Sequence, residues 1–91
     1  MVTAIALMNV EKNSIADVAQ KLVDIQGVAE VHSVAGQYDL VSIIRTKTNE
    51  DIANLVTNKI SQINGVTRSE TLMAFKVYSD FELERMFSVG F

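Results

Sequence analysis

Ninety-one residues, 48% apolar, 21% charged and free of proline, describe one folded domain and exclude a disordered or low-complexity chain. A chain this short hides only about 60–65% of its unfolded surface, so every apolar face must find cover. The net charge of −3, with basic residues scattered and densest only at Arg45 and Lys47, offers no cationic patch and disfavours direct nucleic-acid binding.

A first strand is predicted over residues 2–10, with Ile5 and Leu7 pointing one way and Ala4, Ala6 and Met8 the other. A helix follows, carrying Ile15, Val18, Ala19, Leu22 and Ile25 or Gln26 at helical spacing. Ser14 stands at its N-cap with Asp17 three residues on, and Gly27 past its end suits a left-handed C′ position. A second strand, 28–35, turns through Ala35-Gly36-Gln37-Tyr38 into a third, 39–47, as a hairpin. In the third, Leu40 and Ile44 share one face, and Val41 and Ile43 the other. The second helix carries Ile52, Leu55, Val56, Ile60 and Ile63. Thr48 or Asn49 caps it, while Glu50 and Asp51 suit the positive end of its dipole. The last strand is predicted over 66–79, with Leu72 and Ala74 opposing Met73, Phe75 and Val77. Residues 80–91 add Phe81, Leu83, Met86, Phe87, Val89 and Phe91, so a short helix or tail is expected to pack on its own subunit or on a neighbour.

The two halves are related. Ile25-Gln26-Gly27-Val28 returns 38 residues later as Ile63-Asn64-Gly65-Val66, and the same register pairs Ile5 with Ile43 and Val18 with Val56. Each half reads strand, helix, glycine turn, strand. The order βαββαβ is an α+β, ferredoxin-like plan: a four-stranded antiparallel sheet with both helices on one face. Such a sheet normally alternates apolar toward the helices and polar toward water, yet here both faces are apolar. Left bare, the second face would expose several hundred Å² of apolar surface, uncommon on a monomer. The expected remedy is a second copy, sheet against sheet, forming a dimeric α/β barrel.

Signatures of catalysis are sparse. Without cysteine, thiol catalysis, disulfides and thiolate metal sites are excluded, and a single histidine, His32, cannot build a histidine metal cage. The four glycines lie far apart and form no phosphate loop. Ser33 points away from His32 across the sheet, and Glu50-Asp51 and Glu82-Glu84 sit at predicted helix starts, where capping explains them. No enzyme, cofactor or metal is therefore expected. No apolar run approaches the ~20 residues that span a bilayer, and no basic-then-apolar leader opens the chain, so a cytoplasmic protein without a membrane partner is expected.

Two constellations can hold a small molecule. In Gly36-Gln37-Tyr38-Asp39, Asp39 can receive a ligand's ammonium or satisfy the turn's own amides, and both readings stand at this point. The hydroxyls of Thr67, Ser69 and Thr71 can meet a carboxylate without adding charge, or simply face solvent on alternate positions.

The chain resembles the effector (RAM) domain of the Lrp/AsnC, or feast/famine, transcriptional regulators. The residues that carry the likeness are Val34-Ala35-Gly36-Gln37-Tyr38-Asp39-Leu40, Ile63-Asn64-Gly65-Val66 and Ser69-Glu70-Thr71, in the family's order over roughly residues 2–79. The resemblance implies a homodimer assembling into a larger ring such as an octamer, with amino acids or related small effectors bound between dimers. It nominates Gly36, Tyr38, Asp39, Thr67, Ser69 and Thr71 as effector-binding residues. Asp39 would take the α-ammonium, and amides near Gly36 and the hydroxyls the carboxylate. The full regulators carry an N-terminal helix-turn-helix domain, whereas here Met1 leads straight into the first strand, so a stand-alone module over 1–91 is expected. Such a module would sense amino acids or co-assemble with full-length Lrp/AsnC regulators to modulate transcription. Two other readings of the same architecture are a cofactor-free enzyme of the dimeric α/β-barrel type and a ligand-free structural partner subunit.

Overall fold

A computed structural model describes residues 1–78; the apolar tail expected over 80–91 lies outside the described residues. Its elements follow the predicted order: β1 (Val2–Val10), α1 (Ile15–Val23), β2 (Val28–Ser33), β3 (Leu40–Thr46), α2 (Asn49–Asn58), a 3-10 turn (Ile60–Gln62) and β4 (Val66–Ala74). The four strands form one antiparallel sheet in the order β2-β3-β1-β4. This is the ferredoxin-like α+β plan, and the first strands of the two halves lie together at its centre.

Side chains paired across antiparallel strands point to the same face, so the register assigns both faces. On the helix side run the rows Val28–Ile44–Ala4–Met73, Val31–Ser42–Ala6–Thr71 and Ser33–Leu40–Met8–Ser69. Ala4, Ala6, Met8, Leu40 and Ile44 are buried there against Val18 and Leu22 of α1 and Ile52 and Leu55 of α2, with Ile60 closing the core. The alanines of β1 leave room for both helices to approach the sheet closely. Ser42 is fully buried among them, and among the described residues its hydroxyl has no hydrogen-bond partner. A buried hydroxyl left unpaired is a cost the fold carries. Ser42→Ala is therefore expected to raise the unfolding free energy by about 1 kcal/mol, read from a denaturant midpoint at unchanged slope.

The opposite face carries Glu30–Ile43–Ile5–Leu72 and His32–Val41–Leu7–Glu70, bounded by Thr3, Arg45 and Ala74 at one end and by Asn9 and Arg68 at the other. No helix covers it. Ile5, Leu7, Val41 and Ile43 are half-buried by their neighbours alone, and Leu72 is 44% exposed. The two-sided apolar sheet read from the sequence is therefore present.

Three local expectations need correction. The glycines do not terminate the helices directly. Each helix ends earlier, and tight turns (Ile25 N–H to the Leu22 carbonyl, 3.0 Å; Ile63 N–H to the Ile60 carbonyl, 3.1 Å) carry the chain to Gly27 and Gly65. Both glycines hold φ near +104° and +103°, so the repeated Gly-Val is a matched left-handed entry into β2 and β4. A Cβ on Gly27 would also lie 2.7 Å from Leu55 Cδ1, so the turn packs directly on α2. Ser14 makes no side-chain cap bond, because its ψ of 0° turns the hydroxyl away from the first-turn amides. Thr48, extended at ψ 160°, does cap: its Oγ1 accepts from Asp51 N at 3.1 Å. Finally, β4 stops at Ala74, whose pairing with Thr3 is the last with β1, short of the expected 66–79, and Phe75 is left fully exposed.

Candidate functional site

One end of the sheet gathers the hairpin between β2 and β3, the last residues of β1 and the start of β4. Ser33 pairs with Leu40, and Val34 N–H donates to the Asp39 carbonyl at 3.0 Å, closing the hairpin over 34–39. Gly36 sits at its exposed tip with φ +137°, a conformation open to glycine and strained for other residues. Nothing lies within 4 Å of where its Cβ would be, so its backbone faces open space.

Asp39 anchors the hairpin to the central strand. Its amide donates to the Met8 carbonyl (2.9 Å), and its Oδ2 accepts from the Val10 amide (2.9 Å). That amide faces the β3 side beyond the last β1–β3 pair, Met8–Leu40, so the carboxylate stands where a ladder carbonyl would. Asp39 is half-buried, and among the described residues its Oδ1 has no partner. Asn9 adds a second tie, its Nδ2 donating to the Gln37 carbonyl at 2.7 Å.

From the base of the hairpin, Tyr38 leans over the uncovered sheet face. Its hydroxyl donates to Glu70 Oε2 at 2.6 Å, and the Arg68 guanidinium carbon lies 6.0 Å from its ring centroid. Glu70 belongs to β4 and pairs with Leu7 of β1, so the phenol spans β1 to reach it. The hydrogen bond to Glu70 raises the Tyr38 pKa above its ordinary value, aided by desolvation and the Glu70 charge and opposed by Arg68.

The hydroxyls of β4 do not act as one row. Thr67 lies at the bulge and donates to the Asn9 carbonyl at 3.2 Å, beside the hairpin. Ser69 and Thr71 pair with Met8 and Ala6 and therefore project on the helix side. Thr71 lines a groove of about 430 Å³ between β4 and α2, with Ile52, Val56 and Met73. Within one chain, Gly36, Tyr38 and Asp39 share the hairpin, and Thr67 lies across β1 from them, tied to Asn9 at the same end of the sheet; Ser69 and Thr71 are separated from Tyr38 by the sheet itself. A larger cavity, about 770 Å³, lies at the other end of the sheet, between the Asp24–Gly27 turn and α2, and contains none of these residues.

Sequence reasoning gave no role to Asn9, Arg68 or Glu70. Asn9 and Gln37 are 28 positions apart and Tyr38 and Glu70 are 32 apart, so only the strand register reveals either contact. Among the described residues, no group of three or more His, Asp or Glu side chains is placed to hold a metal, and no helix is long and apolar enough to cross a membrane.

Comparison with known proteins agrees with this architecture. The family described as the Lrp/AsnC ligand binding domain matches residues 3–83. The HTH-type transcriptional regulator FL11 of Pyrococcus furiosus is 33% identical over 79 residues, covering 87% of this chain and 52% of the regulator. The chain thus spans about half the length of that relative, and 39% of the uncharacterized HTH-type regulator PH1916 of Pyrococcus horikoshii, to which it is 39% identical over 59 residues. Among solved structures, TTHA0845 from Thermus thermophilus superposes with a TM-score of 0.82 at 39% identity, covering 88% of this chain and 100% of that one. The regulator NMB0573 of Neisseria meningitidis, solved as a complex with L-Met, shares the fold at a TM-score of 0.78 and 14% identity, over 87% of this chain and 53% of that one.

Proposed function

We propose that this chain, which belongs to the Lrp/AsnC ligand-binding domain family, is a non-enzymatic module that binds an amino acid or a close chemical relative and changes its assembly in response. The observation that carries this reading is the hairpin end of the sheet. The unpartnered Oδ1 of Asp39 is an acceptor for an ammonium, in a charge-assisted hydrogen bond. The open backbone around Gly36 and the Thr67 hydroxyl supply groups for a carboxylate. The complex of the meningococcal regulator with L-Met supports the ligand class.

Assembly follows from the uncovered sheet face. Two copies meeting sheet to sheet bury Ile5, Leu7, Val41, Ile43 and Leu72 of each, giving a dimeric α/β barrel with helices outside. Ser69 and Thr71, on the helix side, join the hairpin's site only by meeting the hairpin of another subunit, so the complete effector site lies between dimers in a larger ring. Effector binding then shifts assembly by its different affinity for the assembled and dissociated states. Co-assembly with full-length regulators of the family, such as relatives of FL11, would carry the effector's signal to transcription.

The double duty of Asp39 dictates the variant that tests this. Asp39→Ala removes both the ligand's acceptor and the Val10 amide's partner, and so mixes binding with folding. Asp39→Asn keeps an oxygen for the Val10 amide but removes the charge. We expect it to lower amino-acid affinity at least tenfold in calorimetry, with its unfolding midpoint near that of the wild type. Affinity equal to wild type would remove Asp39 from the site.

A further inference from the structure

We infer that Tyr38 is a positioning residue, whose hydrogen bond to Glu70 latches the effector-bearing hairpin to the sheet face that the second copy covers. The inference rests on the proposed effector role of that hairpin and assigns a function to Glu70. Three observations carry it.

First, the hairpin has few other ties. Gly36 touches nothing through its missing side chain, and beyond Tyr38 the loop is held by Asn9 Nδ2 on the Gln37 carbonyl and by the Asp39 bonds to Met8 and Val10. All of these reach only the neighbouring end of β1. Among the described residues, the Tyr38 bond alone extends across β1 to the far edge strand, β4.

Second, the acceptor is a carboxylate oxygen, and the contact is short, 2.6 Å, as charge-assisted bonds are. Arg68 lies against the ring from the same strand, so the phenol is gripped at its hydroxyl and along its face. The raised phenol pKa agrees with a bond that needs the proton in place.

Third, the latch stands where two events meet. Glu70 shares its row with Leu7, Val41 and His32 on the uncovered face, while Tyr38 adjoins Asp39 in the hairpin. A second copy seated on that face dries the Tyr38–Glu70 bond and strengthens it, because hydrogen bonds gain in low dielectric. Assembly thereby fixes the hairpin for the effector, and the effector, by reciprocity, favours assembly.

The test is amide hydrogen exchange on the intact protein, comparing Tyr38→Phe, Glu70→Ala and Glu70→Gln. Tyr38→Phe keeps the ring and loses only the bond. It is expected to speed exchange of the Val34 and Asp39 amides about tenfold, while central amides of β1 and β3 keep their rates. Glu70→Ala should match it, and the double variant should be no worse than either single one. Glu70→Gln, which retains an acceptor oxygen, should recover part of the protection. Additive effects of the two single changes, or unchanged hairpin exchange in Tyr38→Phe, would overturn the latch. A thermal-shift panel of the twenty amino acids separates this from the parent reading. Any amino acid that stabilises wild type should stabilise Tyr38→Phe less, and equal stabilisation overturns the positioning role. A panel flat for wild type contradicts the effector reading and, with it, the positioning role, while exchange alone then decides whether the bond holds the hairpin.

Discussion

If two copies pair sheet to sheet as proposed, Ile43→Asp is expected to leave only monomers, read as a light-scattering mass of a single chain at micromolar concentration where the wild type shows a multiple of it. Ile43 lies in the row Glu30–Ile43–Ile5–Leu72, at the apolar centre of the uncovered face. A stable interface buries about 800 Å² per partner, and a carboxylate at its centre must be stripped of water without a cation to meet it. The nearest basic residue on that face, Arg45, serves the corner row with Thr3, and each two-fold-related copy would bring a second aspartate to the same region. The penalty is several kcal/mol, enough to dissolve a dimer of ordinary affinity. Because Ile43 points away from the helices, the monomer should keep its secondary structure. Exposed Val23, on α1, is the control position: Val23→Asp should leave the mass unchanged.

The largest effect on stability is expected at Leu22. Its side chain is fully buried between α1 and the sheet. Leu22→Ala removes three carbons that neighbouring side chains replace only in part, at a cost of about 3 kcal/mol. A domain of this size holds about 5–10 kcal/mol in all, so roughly a third or more of its stability is lost. The melting temperature should fall by about 12–20 °C, measured at fixed protein concentration because assembly itself adds stability. Val23→Ala, one residue on and half-exposed, should change it by less than about 0.5 kcal/mol. Equal effects at the two positions would contradict the assignment of the helix's buried face.

The contrast between these two sites explains how far the sequence could be read. Helical spacing of Val18, Leu22, Ile52 and Leu55 and the alternation in β1 are local, repeated signals, and the structure places all of those residues in the core as expected. The matched Ile-x-Gly-Val segments announced two related halves, and the matched left-handed φ values at Gly27 and Gly65 are their physical content. Turn details were harder. Whether Ser14 caps its helix depends on one ψ angle, which composition does not determine. The hairpin of the candidate site was legible as a turn, because Gly36 and Asp39 are turn residues with distinct duties. It was not legible on β4, because a bulge beside Thr67 depends on register with β1, and because Glu70 finds Tyr38 only after β1 is laid between them. The uncovered face was visible from the start as apolar residues on both parities of the strands, since burial on two sides leaves that mark wherever the second partner comes from.

Whether this domain binds an amino-acid effector is decided by a thermal-shift screen of the purified protein against the twenty amino acids at millimolar concentration. A ligand at 100 times its dissociation constant adds about 2.7 kcal/mol, a change of many degrees for a domain of this size. The expected result is a rise in melting temperature for one amino acid or a few chemically related ones, lost in Asp39→Asn. No shift for any of the twenty would contradict amino-acid binding and leave a scaffold subunit as the reading.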